Sequence, residues 1–266
     1  SLLIALTLWA TSILIILFVE IFAIDDGMGR MNTVFKFYLQ AWVMLGLSSA
    51  YFLWHLLYVE NFAAKSKKLW ITWISILACL VVATTSYAVP AINARVEQRF
   101  VKTGWTLDGT AYMRDAVHTD QNGEIRLYDD LEAIRWIQKN IDGAPILLEG
   151  VTPEYRWGAR ISAYTGLPTV IGWEWHETLR KCGLDPCHAV RQRVRAVEQI
   201  YSTTDPSEAM ELLNSYHVSY IYVGKLEELY YPKEGLEKLV RMVGTRTLSI
   251  VYQNDAVTLY RVSNRH

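Results

Sequence analysis

Charge is scarce at one end of this 266-residue chain. Residues 1–89 hold nine of the 53 Lys, Arg, Asp and Glu side chains, and residues 90–266 hold the other 44. Three stretches, 2–19, 37–59 and 69–94, have no charged residue at all, and each reaches the roughly 18–20 residues that a helix needs to cross a bilayer. A wholly soluble protein is thereby excluded. Positive charge is not in excess either: 26 basic against 27 acidic residues leave a net charge of −1, which argues against a nucleic-acid binder. The first residue is Ser1, and no basic segment precedes the first apolar run. This reads as the C-terminal part of a longer membrane protein, or a processed chain, rather than a signal peptide. Repeats of 20–50 residues and low-complexity tracts are absent as well.

The pattern predicts three transmembrane helices at 2–24, 35–59 and 69–92 within a membrane region 1–94, a connector at 95–128 with room for one short strand, and a small extracytoplasmic α/β domain at 129–266. Orientation follows from short-loop lysines and arginines, which favour the cytoplasm. The 60–68 loop carries Lys65, Lys67 and Lys68 against Glu60, whereas the 25–36 loop carries Asp25, Asp26, Arg30 and Lys36. The first is the better cytoplasmic loop, although Arg95 and Arg99 pull the other way. Residues 95–266 then lie outside, on the face of the Asp25-Asp26 loop. In the C-terminal part the spacing predicts helices at 129–141, 187–201, 205–216 and 233–243, with Leu131, Ile134, Ile137 and Ile141 as the apolar set of the first. Strands are expected at 145–149, 218–223, 247–252 and 256–262, the last two around an Asn254-Asp255 turn. Helices and strands alternate until that hairpin, as in an α/β layer domain.

Three constellations could carry chemistry. In the first outer loop, Asp25 and Asp26 could hold a divalent cation, Mg or Mn, or act as a general base. Arg30, Asn32 and Lys36 follow, and Arg30 and Lys36 could grip a phosphate. The plain alternative is a polar turn. Glu20, inside the first span, is the kind of intramembrane carboxylate that is often functional. The second constellation runs from Tyr155 through Arg160, Tyr164 and Trp173 to His176, Glu177 and Arg180. Aromatic rings beside arginines and carboxylates suit a sugar or phosphorylated ligand; alternatively the rings are core and Arg160 pairs with Glu149 or Glu154. A zinc-protease helix is excluded, because the position four after His176 is Arg180. The third is Cys182 and Cys187, for which a local disulfide is expected ahead of free thiols, and metal last. Arg191, Arg193 and Arg195 form a solvated or phosphate-facing surface.

Several motifs in order carry a resemblance: RMNTVFK at Arg30–Lys36 after an acidic turn, Arg160–Thr169 (RISAYTGLPT), Gly172–Glu177 (GWEWHE), and Tyr220–Gly224 (YIYVG). Together they resemble the C-terminal part of the large "YYY" (DUF2298-type) membrane proteins of Chloroflexi and archaea. That family typically has Trp-Arg close behind the His-Glu pair, where this chain has Leu179-Arg180. The resemblance extends distantly to the polyprenol-dependent, C-type glycosyltransferases. It implies an integral-membrane glycosyltransferase-like protein of the cell envelope, in a bacterial or archaeal cytoplasmic membrane. A polyprenyl-phosphate-linked sugar would be the donor, a glycan or envelope acceptor would receive it, and Asp25 or Asp26 would be base or metal ligand. The superfamily's principal catalytic loop usually lies early in the chain, so these two could be auxiliary. A non-catalytic membrane scaffold with an outer binding domain is the main alternative, and a transporter or flippase fragment the third.

Overall fold

The computed structural model describes residues 1–24, 30–60, 64, 66–181 and 188–263. The chain divides into two compact units, Ser1–Arg99 and Phe100–His266.

The first unit holds three helices long and apolar enough to cross a membrane. Helix α1 spans Leu2–Ile21. Helix α2 spans Arg30–Trp54 and continues through a π-helical turn at His55–Val59. Helix α3 spans Lys67–Arg99 with Pro90 inside it. At 1.5 Å per residue, the 20 residues of α1 are about 30 Å long, the thickness of a hydrocarbon core. Helices α1 and α2 meet through small side chains. Ala5, Ser12 and Val19 are the buried residues of one, and Thr33, Ala41 and Ser48 those of the other. Spaced seven or eight apart, they form one stripe on each helix, and their size lets two backbones approach closely in lipid. Ser12 and Ser48 donate back to the carbonyls of Leu8 and Met44 at 2.7 and 2.8 Å, so neither hydroxyl is left unsatisfied. Helix α2 starts well before its apolar stretch because Arg30 and its neighbours continue the helix into the polar end.

The second unit is a mixed α/β domain. Its main sheet has the order β3-β4-β6-β5, with β3 Ile146–Leu148, β4 Val218–Val223, β5 Leu248–Gln253 and β6 Thr258–Val262. Strand β3 runs parallel to β4, and the other pairings are antiparallel. The sheet is covered on both faces because its residues alternate between two cores. Leu148, Ile221 and Tyr260 join α7 (His188–Ser202), α8 (Pro206–Ser215) and α10 (Lys233–Gly244) in one core. Leu147, Tyr222 and Leu259 join α4 (Leu127–Asn140) in the other. The apolar residues Leu131, Ile134 and Ile137 of α4 are buried as their spacing predicts, and Ile141 falls just past the helix end. The Asn254 turn closes β5 on β6, with Asn254 Oδ1 accepting from Ala256 N and Val257 N at 3.1 and 2.8 Å.

Three short helices and the stretch before α4 escaped the sequence pattern. Helices α5 (Arg160–Thr165), α6 (Glu174–Lys181) and α9 (Lys225–Tyr230) are one or two turns long. Residues 100–128 are more than a connector: they form a short 3₁₀ turn and a hairpin, β1 (Val117–Asp120) with β2 (Gly123–Arg126). Met113, Ala116 and Ile125 from this stretch lie in the domain core. The hairpin turns at Asn122-Gly123, where Gly123 takes a φ of 146° that side chains other than glycine rarely adopt.

A candidate sugar-phosphate pocket beside a buried ion network

The parallel strands β3 and β4 end side by side, and ligands of open α/β sheets bind at the carboxyl ends of such strands. Here those ends carry carboxylates. Just beyond β3, Glu149 accepts from the backbone N–H groups of Ile161 and Ser162 at 2.8 and 2.9 Å, which caps the short helix α5. Just beyond β4, Glu227 accepts from Gly224 N and Gly150 N at 2.8 and 2.9 Å. Arg160, the first residue of α5, lies between the two strand ends. Its Nε donates to Asp130 at 2.8 Å, and its Nη1 and Nη2 donate to Glu227 at 3.2 and 2.9 Å. Asp130 also accepts from the indole of Trp157 and the hydroxyl of Tyr222, both at 2.6 Å.

The side chains of Arg160, Asp130 and Glu227 are 1%, 2% and 0% exposed. An ion pair taken this far out of water persists only when its remaining hydrogen-bonding capacity is met, and here backbone, indole and phenol meet it. Burial pushes the Glu149 carboxyl above its ordinary range, against the pull of Arg160 and of two backbone donors. Burial also raises the Tyr222 hydroxyl, reinforced by the Asp130 charge.

This network forms one wall of a cavity of about 690 Å³ whose lining includes Arg156, Trp157, Arg160, Tyr164, Trp173, His176, Glu177 and Arg180. The loop from β3 to α5 shapes it. Tyr155 and Ala159 hold φ values of 63° and 56°, sparsely populated for side-chain-bearing residues and often found at functional loops. At Gly158 a Cβ would stand 2.2 Å from Thr152 Oγ1, so any side chain there would force Thr152 or the loop to shift. The indole of Trp157 is pinned by Asp130, and its ring lies 6.0 Å from that of Tyr164. On the opposite side His176 sits among Tyr155, Trp173 and Trp175, with ring centroids 5.4–5.6 Å away. The His176 Nε2 and Trp173 Nε1 atoms are buried without a hydrogen-bond partner. Glu154 accepts from Trp175 N at 3.2 Å and so fixes the start of α6.

The structure thus brings four residues of the sequence-predicted set, Arg160, His176, Glu177 and Arg180, to one cavity. Their roles divide. The Arg160 guanidinium is engaged by Asp130 and Glu227, not by Glu149 or Glu154 as the sequence suggested, because Glu149 is committed to the α5 backbone and Glu154 to α6. Arg180 is exposed. In the membrane unit Arg30 forms an ion pair of 2.5 Å with Glu20, to which Tyr38 also donates at 3.0 Å. The carboxylate inside the first span is accordingly neutralised within its own helix pair. Asn32 and Lys36 lie in the first two turns of α2, the former half-buried and the latter exposed. Asp25 and Asp26, the expected base and metal ligands, lie outside the described residues, as do Cys182 and Cys187. Cys79 is a free, exposed thiol on α3. Among the described residues no group of three or more His, Cys, Asp or Glu side chains could hold a metal ion.

Comparison with known proteins places the N-terminal end. Residues 1–45 match the family described as uncharacterized membrane protein DUF2298. That stretch covers α1 and the first half of α2, including the Glu20–Arg30 pair. Among curated proteins none matches the chain. A crystal structure of the C-terminal globular domain of an oligosaccharyltransferase from Archaeoglobus fulgidus is similar at 15% identity and a TM-score of 0.34, over 51% of this chain and 97% of that domain. Sequence reasoning missed Asp130, Glu227 and Tyr222. Asp130 stands in the first turn of α4 and Tyr222 within β4, far in sequence from Arg160, so no local pattern links the three.

Proposed function

We propose that this chain is the C-terminal part of an integral-membrane glycosyltransferase-like protein whose α/β domain holds the sugar-phosphate portion of a lipid-linked donor or its glycan acceptor. The observation that supports this reading is the composition of the cavity. Trp157, Tyr164 and Trp173 offer flat apolar faces for a sugar ring, and Arg156 and Arg180 offer forked donors for phosphate oxygens. Glu177 and His176 supply acceptors and a titratable ring for sugar hydroxyls. Arg160 holds the wall that carries Trp157 rather than meeting the ligand directly. Asp25 and Asp26 supply the base or the divalent-cation site, with Arg30, Asn32 and Lys36 at the headgroup level. The domain lies outside a bacterial or archaeal cytoplasmic membrane.

Titration of the purified full chain with a sugar 1-phosphate, followed by tryptophan fluorescence, tests the reading. Saturable quenching is expected, weakened about tenfold or more in Arg180→Gln, since a charge-assisted hydrogen bond is worth roughly 1.5–3 kcal/mol. A flat titration with both the sugar phosphate and a polyprenyl-phosphate sugar would overturn it. A non-catalytic, glycan-binding scaffold is the second reading. It is favoured by the rigidity of the pocket wall, whose central guanidinium is fully occupied within the fold.

A further inference from the structure

The three arginines of α7 separate into two kinds. Arg193 is anchored, donating to the carbonyl of Val170 at 3.0 Å and lying 5.3 Å above the Tyr216 ring. Arg191 and Arg195 are exposed, and among the described residues neither makes an ion pair, hydrogen bond or ring contact. Together with His188 and Gln199 they line a groove of about 630 Å³ between α7 and the end of α8, and among the described residues its lining contains no carboxylate. That arrangement runs against the electrostatics of the domain. Residues 100–266 carry nineteen Lys and Arg against twenty-two Asp and Glu, so the surroundings could have supplied partners. Two arginines at i and i+4 repel each other. Arg191 also stands in the first turn of α7, where the helix dipole disfavours a cation, and that turn holds no acidic residue. Among the described residues no carboxylate meets this basic row, which leaves it open to an anion from outside the fold.

We propose that the α7–α8 groove binds the phosphate of an anionic phospholipid headgroup. The choice of a lipid over a soluble phosphate rests on chain continuity and on charge. The domain begins at Phe100, directly after the helix α3 that is apolar and long enough to span a bilayer, so headgroups are present at high effective concentration. Two exposed guanidinium forks with no carboxylate in the described lining complement the charge and the oxygen geometry of an anionic headgroup phosphate. The groove shares no lining residue with the sugar-phosphate pocket, so either site can fail without the other.

The purified full chain in a non-ionic detergent, titrated by thermophoresis with dioctanoyl phosphatidylglycerol, with dioctanoyl phosphatidylcholine and with inorganic phosphate, tests this. Tighter binding of the glycerol lipid is expected, and R191Q/R195Q should weaken it about thirtyfold. R191K/R195K, which keeps both charges, should retain most of the preference. Thermal stability of the Gln variant should be unchanged or slightly higher, because a repulsive pair has been removed. Equal binding of the two lipids, or a glycerol-lipid preference that survives R191Q/R195Q, would overturn the proposal. So would binding of inorganic phosphate that disappears in R191Q/R195Q without any preference between the lipids, which would assign the groove to a soluble phosphate compound.

Discussion

Arg160→Leu separates a structural role for this residue from direct contact with a ligand. The substitution removes the cation and leaves Asp130 and Glu227 facing each other in a region 2% and 0% exposed. Leucine fills much of the volume, so the loss is electrostatic. Breaking a buried pair by removing one partner costs about 3–5 kcal/mol. For a domain of this size each kcal/mol moves the melting temperature by about 2–4 °C, so a drop on the order of 10 °C is expected for the C-terminal unit. The assay is thermal unfolding of the full chain followed by tryptophan fluorescence, because Trp157 donates to Asp130 and reports the network directly. A charge-neutral variant supplies the control. Arg160→Leu combined with Asp130→Asn and Glu227→Gln no longer buries uncompensated charge, and should recover part of the loss. If Arg160→Leu melts within 2 °C of the wild type yet abolishes sugar-phosphate binding, the guanidinium meets the ligand, and the assignment of Arg160 to the pocket wall is wrong.

Other substitutions probe other links. Gly158→Ala should destabilise the domain by about 1–3 kcal/mol, since its Cβ would stand 2.2 Å from Thr152 Oγ1; unchanged urea unfolding would show that the loop can move aside. Glu149 has a folded-state pKa raised by burial, so folding favours its protonated form. Its contribution is therefore largest below the unfolded pKa and is lost as pH rises through the folded value; unfolding midpoints measured from pH 4 to 7 should differ in slope between wild type and Glu149→Gln, and parallel profiles would contradict this. Asp26→Asn in the full-length protein should reduce glycan transfer by about 10²–10⁴-fold while expression stays near wild type, and full transfer activity would make the loop a simple turn. Single cysteines near Ser66 and near Gly109, in a Cys-free background, should label from opposite sides of the membrane; labelling of both by an impermeant reagent in intact cells would overturn this topology.

What could be read from the chain follows the range over which each interaction acts. The spans, the helix α4 and the strand β4 are visible because their burial repeats with the period of the element itself: Leu131, Ile134 and Ile137 on one helical face, Tyr220 and Tyr222 against Ile221 on opposite faces of a strand. The short helices were not visible, because their own sequence does not stabilise them. Six residues of α5 cannot nucleate a helix unaided; they are held by Glu149, twelve residues earlier, which takes the two N–H groups that a local capping residue would otherwise satisfy. The ion network is more remote still, joining Arg160 to partners 30 and 67 positions away. A lone arginine in a sequence looks the same whether it awaits a phosphate or a carboxylate of its own fold. For Arg160 the fold supplies both carboxylates. For Arg191 and Arg195 the described part of the fold supplies none, and the difference between them is set by tertiary packing rather than by residue type. A binding role is therefore better assigned by asking which charges the fold leaves uncompensated than by counting arginines near aromatic rings.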